Sequence, residues 1–428
     1  MIPRGAGQRS DAEANRLVEW LMFNDIEVHE ITSDYHYGGQ TYEDGSYVVF
    51  MTQPRRGLAD TALSIGVDVS SRIARLYAPP GSWSHGYLWG ADVYTIPDGP
   101  TFGPWKHELK KPAKLKGGLE RGSATHYALE IDSATAVRTL NELLSAGVDG
   151  QLATAPFTSA SGASLPAGTI VFSAADAAAL DAAGKENGLT FLRVSPAAVG
   201  TTEPVDRVPR IAVLTNAQVN QDIWSLRNLG FVANGVSTGT LNTSPTDPLA
   251  DYDVIFNSSS GYPAATNTTA RARLTSFFAS GGGYLGALSA GAGFLESGGQ
   301  TTGLTTDNRS GFGRSGIIYW ENLGDAASPV VGAYPETQDT AIMDPPTWFT
   351  GIPTTMDSDA VLPLSGFFAS GLWPQSLWGT APGSPVIAHG TNTAATARLA
   401  VFAMNPLYRA DPEREWPMLS SAAYWADQ

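Results

Sequence analysis

The chain contains no cysteine. That removes disulfides, a thiolate nucleophile and every cysteine-based zinc site, and it leaves the compartment open. Charge is scarce as well: 16% of residues are Asp, Glu, Lys or Arg. What charge there is leans acidic, with 41 Asp and Glu against 26 Lys and Arg. The resulting net charge of −15 argues against nucleic acid or an anionic membrane as a partner. No run of about 18 apolar residues occurs, so no membrane-crossing helix is expected. The opening Met1-Ile2-Pro3-Arg4-Gly5-Ala6-Gly7 lacks the apolar core of a signal peptide. It is a polar loop leading straight into a helix, and it reads either as an ordinary cytosolic start or as a start inside a larger protein. Histidine is sparse, at His29, His36, His85, His107, His126 and His389. None has the His-x-x-Glu or His-Glu-x-x-His spacing of a zinc site. His29, Glu30 and His36 lie close together but want a third ligand, so no metal or other cofactor is expected in this chain.

What is present is glycine, alanine and small polar residues, concentrated in one stretch. Ser280-Gly281-Gly282-Gly283-Tyr284-Leu285-Gly286-Ala287-Leu288-Ser289-Ala290-Gly291 reads as a glycine turn, a short apolar strand, a sharp elbow and a helix start. Gly286, Ala287, Ala290 and Gly291 put small residues around Ser289, as around an exposed nucleophile on a tight strand-to-helix turn. Strands are expected over 210–214 and 251–256, and a helix over 270–278. Strand, helix, strand and elbow together predict a doubly wound α/β half. After the elbow, strands are expected over 316–320, 362–368, 385–389 and 397–404, and a closing helix over 413–425.

The first half of the chain reads as two small βα units. Ser10 or Asp11 caps a helix in which Leu17, Trp20 and Leu21 share one face. Strands follow over 26–31 and 46–51, then a helix over 57–65. The same order returns about 123 residues later: residues 14–32 lie over 136–154, and 43–50 over 166–172. Each copy is too small to bury its own sheet face and must lean on something else. The division expected is a unit over 1–102, a basic linker over 103–123, a second unit over 124–197, a linker over 198–208 and the elbow domain over 209–428. Between 77 and 90 an aromatic loop carries Trp83, Tyr87 and Trp89 beside His85. Those rings suit either stacking on a peptide or a cell-wall polymer, or a contact between domains.

Ser289 needs a base to become a nucleophile. His389 follows the strand Pro385-Val386-Ile387-Ala388, and Asn405 follows Leu399-Ala400-Val401-Phe402-Ala403-Met404. Here the region resembles the class I glutamine amidotransferase-like fold, in which a strand ends in an elbow cysteine and a late strand delivers a histidine followed by proline. The resemblance puts Ser289 at the cysteine position and Asn405, before Pro406, at the histidine position. Asparagine cannot take a proton at neutral pH, so the resemblance implies a degenerate site. A Ser289–His389 pair is the remaining catalytic alternative. Asp344, beside Pro345, Pro346 and Trp348, is an acid in an apolar loop whose pKa should be raised.

A second resemblance covers most of the chain. Gln8-Arg9-Ser10-Asp11, then Met51-Thr52-Gln53-Pro54-Arg55-Arg56-Gly57-Leu58-Ala59, then Trp83-Ser84-His85-Gly86-Tyr87-Leu88-Trp89-Gly90-Ala91-Asp92, then Asn405-Pro406-Leu407-Tyr408-Arg409, resemble the segment after the catalytic domain of large bacterial zinc carboxypeptidases. The resemblance implies an accessory region of a secreted enzyme, with zinc held in an upstream peptidase domain in cis. No ligand or catalytic residue of that family carries over onto this sequence.

Overall fold

The computed structural model describes residues 1–428 except Pro79, 98–105, Phe312 and 335–337. Pro79 of the aromatic loop and 103–105 of the expected basic linker therefore lie outside the described residues.

Ser10 opens the first helix, Asp11–Phe23, its hydroxyl accepting from the Glu13 amide. Ala14, Leu17, Val18 and Leu21 form one apolar stripe and all are buried. They pack with Ile2, Ile26, Val28 and Tyr47 in a small separate core. The sheet of this unit runs Tyr47–Val48, His29–Ile31, Lys106–Glu108, with Ile2 bridging to Tyr47 on the far side.

The second unit follows the order strand His126–Leu129, helix Ala134–Ser145, strands Gly150–Ala153 and Ile170–Ser173, helix Ala177–Asn187, strand Thr190–Val194. In space the strands run Gly150–Ala153, Ile170–Ser173, His126–Leu129, Thr190–Val194, each antiparallel to its neighbour. This is the split βαβ arrangement of ferredoxin-like folds. Helix, strand, hairpin, strand, helix recurs in both units. In each, the strand after the first helix pairs antiparallel with the strand after the hairpin, His29 facing Val48 and Leu152 facing Ile170.

The stretches expected to be linkers carry strands instead. Lys106–Glu108 edges the first sheet, Gly118–Leu119 pairs with Thr190–Val194, and Thr202–Val205 pairs with Gly150–Ala153. Small sheets leave open edges with unpaired N–H and C=O groups, and neighbouring chain satisfies them.

The third unit is built on five parallel strands in the spatial order Val232–Val236, Arg210–Leu214, Val254–Asn257, Gly283–Ala287, Arg398–Phe402. In chain order that is 2-1-3-4-5, the flavodoxin-like doubly wound order. The chain is thus α/β, with small βα units ahead of a doubly wound sheet. Val232–Val236 escapes a hydropathy reading because Asn234 and Gly235 interrupt it at the edge of the sheet. Beyond Arg398–Phe402 the sheet continues antiparallel through Pro385–Thr391, Met356–Val361, Ser315–Asn322 and Asp339–Met343. The strand expected over 362–368 begins only at Phe368 and runs to Leu372.

One core runs through the second and third units, taking in Leu140 and Leu144 with Trp416, Leu419 and Tyr424 of the closing helix, Trp416–Ala426. Two polar clusters hold the first unit against this body. Asp339 accepts from both Arg9 and Arg414, and Arg414 reaches Asp92 at 3.0 Å. Glu13 accepts from the Thr135 amide at 2.9 Å and its hydroxyl at 2.7 Å, while Arg16 and Arg138 converge on Glu413.

Candidate functional site

The elbow forms where the sequence places it, one residue early. Strand Gly283–Ala287 passes into helix Leu288–Ser297, and the residue in the left-handed region is Leu288, at φ 59°. A non-glycine residue held there is strained, which is the mark of the elbow apex. The apex side chain is therefore leucine, with no nucleophilic atom. Ser289 lies one step into the helix, where its hydroxyl accepts from Asn308 Nδ2 at 3.2 Å.

Glycine is required beneath the apex for a reason of distance. A Cβ on Gly291 would sit 2.6 Å from the backbone of Gly286. The helix start thus lies directly on the strand it leaves. Tyr284 braces the turn: its hydroxyl donates to the Gly291 carbonyl at 2.9 Å and accepts from Asn257 at 3.1 Å. Burial pushes that phenol far above its ordinary range. Gly291→Ala is expected to destabilise the protein by about 1–3 kcal/mol, the usual cost of overpacking. Urea unfolding reads it, and a loss below about 0.5 kcal/mol would mean that the contact yields easily.

Asn405 stands at the same end of the sheet, three residues past Phe402, which pairs with Ala287. It is buried. Its Nδ2 donates to Asp222 Oδ1 at 3.3 Å and its Oδ1 accepts from the Leu407 amide at 3.0 Å. Asp222 also accepts from the Ser258 hydroxyl at 2.7 Å. Burial pushes the Asp222 carboxyl up, against the hydrogen bonds from Ser258 and Asn405. Asp222 is a site residue that sequence reasoning missed. A lone Asp behind Asn220, which caps helix Gln221–Asn228, reads as ordinary first-turn acid.

His389 belongs to another place. It pairs with Ala400, whose parallel neighbour is Leu285, so it steps away from the elbow end. Its Nδ1 binds the Asp359 carboxylate at 2.9 Å, and Ser328 donates to the same carboxylate at 2.7 Å. The imidazole lines a cavity of about 260 Å³ with Trp425, Arg398 and Glu203. Ser289 and His389 thus each have a different partner, and the register separates them.

The aromatic loop is an internal contact. Trp89 and His85 pack against Trp20 of the first helix, Trp83 lies against Tyr408 of the third unit, and the Tyr87 carbonyl accepts from Thr340 at 2.7 Å. All three aromatic side chains are half-buried. Burial pushes His85 down to about 4, so it is neutral. Asp344 behaves as its apolar loop suggests. Burial raises its pKa, and the partner that the sequence leaves unnamed is the Tyr408 hydroxyl. His36 bonds Thr41, and Glu30 faces His107 at 3.3 Å. Among the described residues no group of three or more His, Asp or Glu is placed to hold a metal ion. Nor is any described helix long and apolar enough to cross a membrane.

No protein-family model and no curated protein matches the chain. Solved structures do. A ThuA-like protein from Parabacteroides merdae is 12% identical, covering 52% of this chain and 91% of its own, at a TM-score of 0.36. A ThuA-like protein from Bacteroides uniformis is 14% identical over 51% of this chain and 92% of its own, at 0.33. A GMP synthase-like protein from Thermoplasma acidophilum is 11% identical over 51% of this chain and 96% of its own, at 0.34. At such values a likeness says nothing about activity. The amidotransferase-like reading of the third unit rests on its own strand order and elbow.

Proposed function

We propose that this chain is a non-catalytic accessory region of a secreted zinc carboxypeptidase, and that its elbow is a structural relic. The observation that carries the non-catalytic part is the pair Leu288 and Asn405. Leucine stands at the apex where a nucleophile is required, and a buried asparagine stands where a base is required. Asn405 spends its amide on Asp222 and a turn, so it serves structure. The carboxypeptidase part rests on the ordered motifs from Gln8-Arg9 to Asn405-Pro406. Zinc and peptide hydrolysis then belong to a peptidase domain upstream in cis.

The test is zinc content and carboxypeptidase activity of this chain and of a longer polypeptide carrying the sequence encoded upstream. Metal and activity confined to the longer form are the expected result. Chelator-removable, stoichiometric zinc with activity in this chain alone would overturn the proposal. So would labelling by a serine-directed phosphonate that disappears in Ser289→Ala.

A further inference from the structure

A cavity of about 540 Å³ opens where the three units meet, lined by Arg9, Gln40 and Tyr94 of the first unit, Glu130 and Asp132 of the second and Tyr334 of the third. This volume suits a small ligand, whose sites usually span about 300–1,000 Å³. Glu130 and Asp132 stand two residues apart just past strand His126–Leu129, and both line the cavity. Neither has an ion pair among the described residues. Burial and the neighbouring Asp132 push Glu130 up to about 8, and burial pushes Asp132 up to about 6. The cation that both feel is Arg9. It is committed elsewhere, with Nη2 on Asp339 and the guanidinium stacked 4.4 Å above the Tyr334 ring. The Arg9 side chain is only 6% exposed, yet its Nη1 has no partner. A buried donor left unmade costs free energy.

We infer that this cleft binds a free amino acid or dipeptide, with its ammonium between Glu130 and Asp132 and its carboxylate toward Arg9. Asp132 accepts a hydrogen bond from Ser133, but neither carboxyl has an ion pair among the described residues, and the two call for a cation. A hard divalent ion needs six or more oxygen ligands, and no group of even three acids is gathered here among the described residues. An organic ammonium needs only the two. The orphan Arg9 donor, with the Gln40 amide and the Tyr94 hydroxyl in the same cavity, calls for an acceptor on the same ligand. One molecule that meets both demands is a zwitterion, and the cleft has room for one or two residues.

The two carboxyls make the test specific. At pH 7 the empty cleft holds a proton on Glu130, and a bound ammonium drives it off. Titration of L-alanyl-L-alanine into the full chain at pH 7, in two buffers of different ionisation enthalpy, is expected to show binding with release of about one proton. n-Butylamine and propionate, each carrying half of the ligand, should bind at least tenfold more weakly. The double variant Glu130→Gln, Asp132→Asn should lose at least tenfold in affinity and release no proton. Single Glu130→Gln supplies the same proton readout if the double variant fails to fold. No heat up to millimolar dipeptide, equal affinity in the variants, or binding without proton release would each overturn the inference. So would calcium binding that the dipeptide does not compete with.

Discussion

Asp339→Ala is expected to destabilise the protein by about 3–5 kcal/mol, the cost of leaving buried charges without a partner. Asp339 sits on the antiparallel extension of the third unit, fully inside, and carries Arg9 on one oxygen and Arg414 on the other. Burial alone would raise its carboxyl, but the Arg414 and Arg9 guanidiniums outweigh that and hold it below the usual range. Removing it strands two guanidiniums whose side chains are 6% and 9% exposed. Arg414 keeps Asp92 at 3.0 Å, while Arg9 keeps its stacking on Tyr334 and the field of Glu130 and Asp132. Because Arg9 and Asp92 belong to the first unit, the break should also loosen that unit from the rest. Urea unfolding of the variant should then show a separate, earlier transition for the first unit. In Arg9→Met, Asp339→Leu, which removes both ends of the Arg9 pair and leaves Arg414 on Asp92, the loss should be smaller than in Asp339→Ala. A cost below about 1 kcal/mol for Asp339→Ala would show that the ion pairs are incidental.

Glu130 should make stability fall as pH rises. Its pKa in the folded protein, about 8 against the ordinary 4.5, means that the folded state holds a proton the unfolded chain has already released. The contribution of Glu130 is therefore full below about pH 4.5 and declines until pH passes about 8, at up to about 1.4 kcal/mol per pH unit. Asp132, raised to about 6, adds to the slope in the lower part of that window. Glu130→Gln should flatten the profile and stabilise the protein by a few kcal/mol at pH 8, with little change at pH 4. Thermal unfolding of both proteins across pH 4–9 checks this. Parallel profiles would mean that Glu130 is solvated in the folded state. Added dipeptide should restore stability at neutral pH, because its ammonium replaces the missing counter-charge.

How much of this is legible in the sequence depends on the range of the contacts. Leu17 and Leu21 reveal their helix because a stripe at 3.6 spacing is a local pattern. The elbow is legible for the same reason: Gly286 and Gly291, five residues apart, are what the close approach needs. Its apex is off by one residue, because Ser289 has the right chemistry and Leu288 does not, while only backbone torsion distinguishes them. The strands Val232–Val236 and Thr202–Val205 escape because they form at sheet edges, where pairing with a neighbour and not hydropathy decides.

The site residues follow the same division. Asn405 is assigned from its place after a late strand, and its position beside the elbow end follows from parallel pairing with Gly283–Ala287. The Ser289–His389 alternative fails on register: His389 runs antiparallel, and its direction carries it toward Asp359. Glu130 and Asp132 give no signal, since two acids two residues apart are common in an acidic chain. What sets them apart is that Arg9, 121 positions earlier than Glu130, is consumed by Asp339.

Element order, the doubling of the βα units, the glycine-backed elbow and the absence of thiol chemistry can all be read from residue order, because each depends on neighbours in the chain or on composition. Three features emerge only on folding: leucine at the apex, the aromatic loop as an internal contact, and an uncompensated pair of carboxyls lining a cleft between units. Those depend on backbone torsion, on burial and on which charges find partners, and all three are set by packing between segments far apart in the chain.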